Sequence, residues 1–221
     1  ARLRSVGGAL VIARSGVWRP SGGGPIARLR DLKAMAAYAR RGPAPDAVAS
    51  ALLDQGWSLA LYPDLAAGRL SPLVHYLIAG GAEGRSPHPL FDSAFYARRN
   101  AVALAATGLT PLEHFVRIGA HEGRNPHPAF DVAFYASQAA ELADSDENPV
   151  DHYLRVGASL GLSPHPLFAP AFYREQLGRD EREAGASLAH YLTAGSARGL
   201  RPHPLFDPDW YMEHSPDLAE A

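Results

Sequence analysis

The chain of 221 residues contains no cysteine. Disulfides and thiolate metal sites are therefore excluded. Long apolar runs are missing as well. The longest near the start, Gly7 to Ala13, is far short of the ~20 residues that span a bilayer, and no signal-peptide cleavage pattern follows it. Acids are almost absent from residues 1–42, where Asp31 alone stands against nine Arg and Lys, a net charge of +8. Residues 43–221 carry the reverse, net −10. The rest is ordinary: 47% apolar and 20% charged residues, in a chain long enough to bury a core. A cytoplasmic location is the expectation. The basic leader is expected to be a solvated linker helix leaning on the acidic remainder. Weak contact of residues 1–42 with a membrane surface is the alternative.

What the chain does have is a repeat. Residues 71–97 and 110–136 agree at 16 of 27 positions. Two further copies begin at Asn148 and Ala186. One histidine series is His75, His114, His152 and His190, spaced 39, 38 and 38. A second, inside Pro-His-Pro, is His88, His127, His165 and His203 with the same spacings. A weaker copy lies upstream, where Asp54, Trp57 and Tyr62 to Leu65 align with Asp207, Trp210 and Ser215 to Leu218. A fixed period of this size marks a stacked-repeat architecture.

Two short helices are expected in each unit. One starts at Thr110-Pro111-Leu112-Glu113, with Thr110 as N-cap, Pro111 at the first helical position and Glu113 completing a capping box. Its apolar stripe reads Leu112, Phe115, Val116 and Gly119. The recurring glycine serves a left-handed end or a close neighbour. The other helix starts at Asp92, Asp131 and Asp207 as N-caps. Phe91 with Tyr96, Phe130 with Tyr135, Phe168 with Tyr173 and Phe206 with Tyr211 form hydrophobic staples. In one copy Ala169 replaces the capping Asp. The prolines of Pro-His-Pro make a stiff, extended connector.

A single unit of two short helices cannot bury both aromatic faces alone, and the expected fold is all-α. Stacked repeats of about 38 residues, two short helices per unit, would form a solenoid-like array. The units run about 54–91, 92–130, 131–168 and 169–206, with a partial one at 207–221, inside an array over 51–221. Residues 1–24 read as a basic Gly-rich leader with a flexible joint at Ser21 to Gly24. Residues 25–50 read as an amphipathic helical linker. Its stripe is Ile26, Leu29, Leu32, Met35 or Ala36, and Ala39, and Gly42-Pro43 ends it. Asp46 is expected to cap a short helix through Leu53.

The composite pattern P-L-x-H-Y-L-x-x-G-x-x-E-G-R-x-P-H-P-L-F-D-x-x-F-Y resembles repeats attached to large bacterial glycosyltransferases and related polysaccharide-biosynthesis proteins. The resemblance covers about residues 51–221. The leader segment Arg14 to Pro20 also looks like linkers beside glycosyltransferase domains. The resemblance implies cell-surface glycan assembly for a parent protein and carries no catalytic residue onto the repeats. Neither strand-helix alternation nor any other sign of a nucleotide-sugar domain is present here.

Ten histidines invite a metal reading, but zinc needs three or four converging ligands, and no His-x-x-x-His pair occurs. Structural hydrogen bonding is the expectation for His75, His114, His152 and His190. No catalytic residue, cofactor or metal site is assigned, because acids smeared over several copies do not make a unique pair. Arg85 and Arg124 are expected to pair with Glu83 and Glu122. Aromatics at helical spacing read as core, with Tyr62, Trp18 and Trp57 as exposed exceptions able to stack on sugars. The candidate binding surface is His88, His127, His165, His203, Arg85 and Arg124. The expected role is a spacer or docking scaffold whose partners are its own catalytic domain, a glycan or a protein. A glycan- or peptide-binding repeat is the alternative and a His-based metal repeat the third. No nucleic-acid partner is expected.

Overall fold

The computed structural model of the chain describes residues 2–18, 25–41, 50–68, 70–143, 145–179, 185–207, 210 and 213, and only the backbone of 2–6, 25–27, 29, 40 and 41. The joint at 21–24, the Gly42-Pro43 stop, Asp46, Tyr211, Ser215 to Leu218 and the side chains of Ile26 and Leu29 lie outside it. The described residues are helical and contain no strand. The chain divides into two compact bodies, residues 1–127 and 128–221.

In the first body, α1 (Arg2–Ser15) and α2 (Pro25–Arg41) form a pair. The leader is thus helical over Arg2–Ser15. Ala9 and Ile12 are buried, and a Cβ on Gly8 would lie 2.8 Å from the Ala39 Cβ and 3.4 Å from Val74. The small residue sets how closely α1 crosses α2 and reaches the first repeat. The buried face of α2 also differs from the expected stripe. Leu32 is exposed, while Asp31, Met35, Tyr38 and Ala39 are buried. Asp31 is not without an interaction in that position, as burial of a charge requires. Residues 50–54 make a turn and extended chain rather than the end of a helix.

The repeats begin with α3 (Gln55–Leu61) and α4 (Asp64–Ala67), followed by α5 (Pro72–His75). Next come α6 (Ser93–Arg99), α7 (Ala101–Thr107) and α8 (Pro111–His114). The second body holds α9 (Val132–Ala136), α10 (Pro149–His152), α11 (Pro170–Glu175) and α12 (Ser187–His190). Helices α3, α6, α9 and α11 lead their units; α5, α8, α10 and α12 trail.

Side-chain caps start several of these helices. Asp54, Asp92 and Asp131 accept from the amides of Trp57, Phe95 and Phe134 at 2.8, 2.9 and 2.9 Å, and Asp207 accepts from Trp210 at 3.1 Å. Glu113 accepts from the Thr110 amide at 3.0 Å and from its hydroxyl at 2.7 Å. Ala169 has the same extended backbone as the capping aspartates and no side-chain bond.

Each trailing helix then departs from the expected period. After one α-helical turn it widens into a π-helix over Tyr76–Gly80, Phe115–Gly119, Tyr153–Gly157 and Tyr191–Gly195. The wider turn brings His114 to the buried face and leaves Val116 half-exposed. The glycine that closes the π segment is a close-approach residue. The left-handed positions belong to the second series, Gly84, Gly123, Gly161 and Gly199, with φ from 69° to 77°.

The amide of each leading-helix cap returns to the connector at the far end of its own unit. Asp54, Asp92, Asp131 and Ala169 donate to the carbonyls of Pro87, Pro126, Pro164 and Pro202 at 3.1, 3.1, 2.9 and 2.8 Å. Within each body, neighbouring units are tied by the trailing tyrosine. The Tyr76 hydroxyl meets Ser93 at 2.9 Å, and that of Tyr153 accepts from the Leu188 amide at 3.3 Å.

Candidate functional site

The recurring chemistry lies where leading and trailing helices meet. Tyr96, Tyr135 and Tyr173 point their hydroxyls at Nδ1 of His114, His152 and His190, at 2.8, 2.6 and 2.6 Å. Tyr96, Tyr135 and Tyr173 are fully buried, and burial holds the Tyr96 and Tyr135 hydroxyls protonated by pushing their pKa up. The His152 ring also bonds Glu141 through Nε2 at 3.0 Å. The carboxylate can only accept, so Nε2 carries the proton and Nδ1 accepts from Tyr135. This Tyr-His-Glu chain has the parts of a proton relay, but its hydroxyl is sealed in the core where no substrate reaches it. The glycine beneath makes room. A Cβ on Gly119, Gly157 or Gly195 would fall about 2 Å from the hydroxyl oxygen of Tyr96, Tyr135 or Tyr173.

Around these pairs the aromatic rings close ranks. Phe91 lies 5.5 Å from Tyr96 and 5.5 Å from Phe115. Phe130 contacts Tyr135 and Tyr153 at 5.5 Å each, and Phe168 contacts Tyr173 at 5.3 Å. The staple residues therefore sit in the core with the trailing aromatic, in the tilted and edge-on arrangements that ring quadrupoles favour.

The Pro-His-Pro histidines serve their own turns. Nδ1 of His88, His165 and His203 accepts from the amides of Leu90, Leu167 and Leu205 at 3.0, 3.1 and 3.1 Å. The imidazole thus does what an Asx side chain does in a turn. His88 is buried, and burial lowers its pKa to about 4 against the opposing pull of Asp54. His127 is lowered by burial too, with Asp92 opposing. These residues were candidates for an exposed binding surface; His88 is inside, and the other three are half-buried.

Arg85 and Arg124 are likewise engaged. Arg85 pairs with Glu83 at 2.7 Å and Asp64 at 2.8 Å and lies 5.0 Å over the Tyr62 ring. Arg124 pairs with Glu122 at 2.6 Å and donates to Asn100. Among the described residues no three His, Asp or Glu side chains converge as metal ligands do. Of the aromatics expected to be exposed, Trp18 is buried against Tyr38, edge to face at 5.9 Å. Tyr62 and Trp57 are half-buried, and the Tyr62 hydroxyl accepts from the Ser86 amide at 2.9 Å.

One recess in the first body is not filled by the repeat's own side chains. It is a half-open cavity of about 20 Å³ within about 360 Å³ of atom-free space that includes its solvent mouth. Ser58, His75, Tyr76 and Gly80 are among its lining residues, and Tyr38, Gln55, Tyr62 and Arg85 add polar groups to its wall. Sequence reasoning missed it, although the substitution of Ser58 for the recurring tyrosine was a visible signal.

No helix among the described residues is long and apolar enough to cross a membrane. No protein-family model, curated protein or solved structure matches this chain.

Proposed function

We propose that this chain is a non-catalytic helical-repeat module of a bacterial glycosyltransferase engaged in cell-surface polysaccharide synthesis, where its units stack as one array and act as a spacer or docking scaffold. One observation carries the reading. The side chains that recur in the repeats spend their chemistry on each other. The tyrosine hydroxyls go to the trailing histidines, the connector histidines to their own turns, and the arginines to nearby acids. A surface evolved to bind the same ligand in every unit would leave such groups available.

The test uses the whole chain on a glycan array and in an assay for glycosyl transfer and hydrolysis. A scaffold retains no glycan saturably and turns over no sugar. Saturable glycan retention at micromolar concentration would replace this reading with a recognition repeat, and turnover would replace it with an enzyme.

A further inference from the structure

We propose that the 54–91 unit binds a small phenol, whose hydroxyl reaches the place that a tyrosine hydroxyl fills in the other units. The repeat supplies its own control. Counting four residues on from Asp54, Asp92, Asp131 and Ala169 gives Ser58, Tyr96, Tyr135 and Tyr173. In three units a phenol ring therefore lies between the leading and trailing helices, with its hydroxyl on imidazole Nδ1 and its oxygen above a glycine. In the fourth, the ring is gone but its partners remain.

The trailing elements are those of a normal unit. His75 and Gly80 stand where His114 and Gly119 do, and the π segment is formed. Tyr76 takes the place of Phe115, the ring that packs edge-on against Tyr96. Ser58 does not replace the lost bond. Its hydroxyl turns to the Pro87 carbonyl at 3.3 Å. The atom nearest to a Cβ on Gly80 is His75 Nδ1 itself, at 3.1 Å. The His75 imidazole has no hydrogen bond among the described residues, and the residue is only half-buried.

Two further polar groups meet the same cavity without partners. Gln55 Oε1 is buried and unbonded. The Tyr38 hydroxyl, also unbonded among the described residues, is held protonated because burial pushes its pKa to about 12. Buried polar atoms are nearly always satisfied, so the unbonded Gln55 Oε1, beside a half-buried imidazole that has no side-chain partner among the described residues, points to something that satisfies it. The 20 Å³ cavity admits one water-sized group, which suits a hydroxyl. That hydroxyl donates to His75, while the ring lies in the outer recess against Tyr76. This inference does not depend on the scaffold reading, since a spacer can carry one occupied unit.

The probe is p-cresol, the tyrosine side chain as a free molecule, titrated into the whole chain and followed by NMR of the imidazole signals. We expect saturable shifts at His75 with Kd on the order of 0.1–1 mM and no shift at His114 or His152. Toluene, which lacks the hydroxyl, binds about ten-fold more weakly. Ser58→Tyr fills the site and abolishes binding. Intermolecular NOEs from the cresol ring to His75 and Tyr76 locate the ligand without any variant. Absence of saturation by about 10 mM overturns the proposal. So does binding that survives in a folded Ser58→Tyr, or a cresol ring whose NOEs lie elsewhere.

Discussion

A methyl group added at the recurring glycine would meet different neighbours in a filled unit and in the open one. At Gly119 it would collide with the Tyr96 hydroxyl, whereas at Gly80 it meets His75 Nδ1 at 3.1 Å, a side chain able to yield. Gly119→Ala is therefore expected to destabilise by about 1–3 kcal/mol through overpacking, and Gly80→Ala by clearly less. Urea melts of the two variants compare them directly, and equal losses would refute the role assigned to the tyrosines. Tyr135→Phe removes the donor to His152 and strands a buried nitrogen. The expected cost is about 1–3 kcal/mol, read as a lower urea midpoint at an unchanged m-value. At this scale the sequence pointed to hydrogen bonds from four histidines; His114, His152 and His190 make them, whereas the His75 imidazole has no partner among the described residues. The sequence could not say that tyrosine and histidine were partners. They stand 17 or 18 residues apart on different helices, and only the fold brings them together.

Helices α3, α6, α9 and α11 are so short that their caps are a large share of what holds them. Ala169 has φ −102° and ψ 97°, close to φ −97° and ψ 106° at Asp131, yet offers its helix no acceptor. Ala169→Asp is expected to stabilise by about 0.5–2 kcal/mol, seen as a raised Tm; an unchanged or lower Tm would count against this cap geometry. Caps were legible in the sequence because they are made by residues within one turn of each other. The π segments were not, because the apolar stripe was read with the 3.6-residue period of an α-helix. A histidine and a glycine five residues apart, repeated four times, were the available sign. The sign acquires meaning only once the tyrosine oxygen is seen to occupy the space above that glycine. The slipped stripe on α2 has a similar origin. Asp31 was placed outward by its charge, and nothing local announced that it is buried.

Across the whole molecule, buried histidines set a pH response. Burial depresses the pKa of His88 to about 4 and lowers those of His127 and His114, the last with help from Arg124. Each binds a proton more readily when unfolded, near pH 6.5. Their contribution to stability is therefore complete above that pH and is lost as the pH falls toward 4. Thermal melts between pH 7.5 and 4.5 should show Tm falling in that window. His88→Asn, which keeps a turn acceptor and removes one titration, should flatten the slope; an unaltered slope would exclude His88 as a contributor. The amide-to-carbonyl bonds from Asp54 to Pro87 and from Ala169 to Pro202 bear on how such a chain changes length over generations. Each joins the first residue of a unit to a residue near its last, so entry and exit lie side by side. A gene that gains or loses one whole copy leaves two chain ends already within reach of each other. The number of units is thereby free to vary while the interior of each stays as it is.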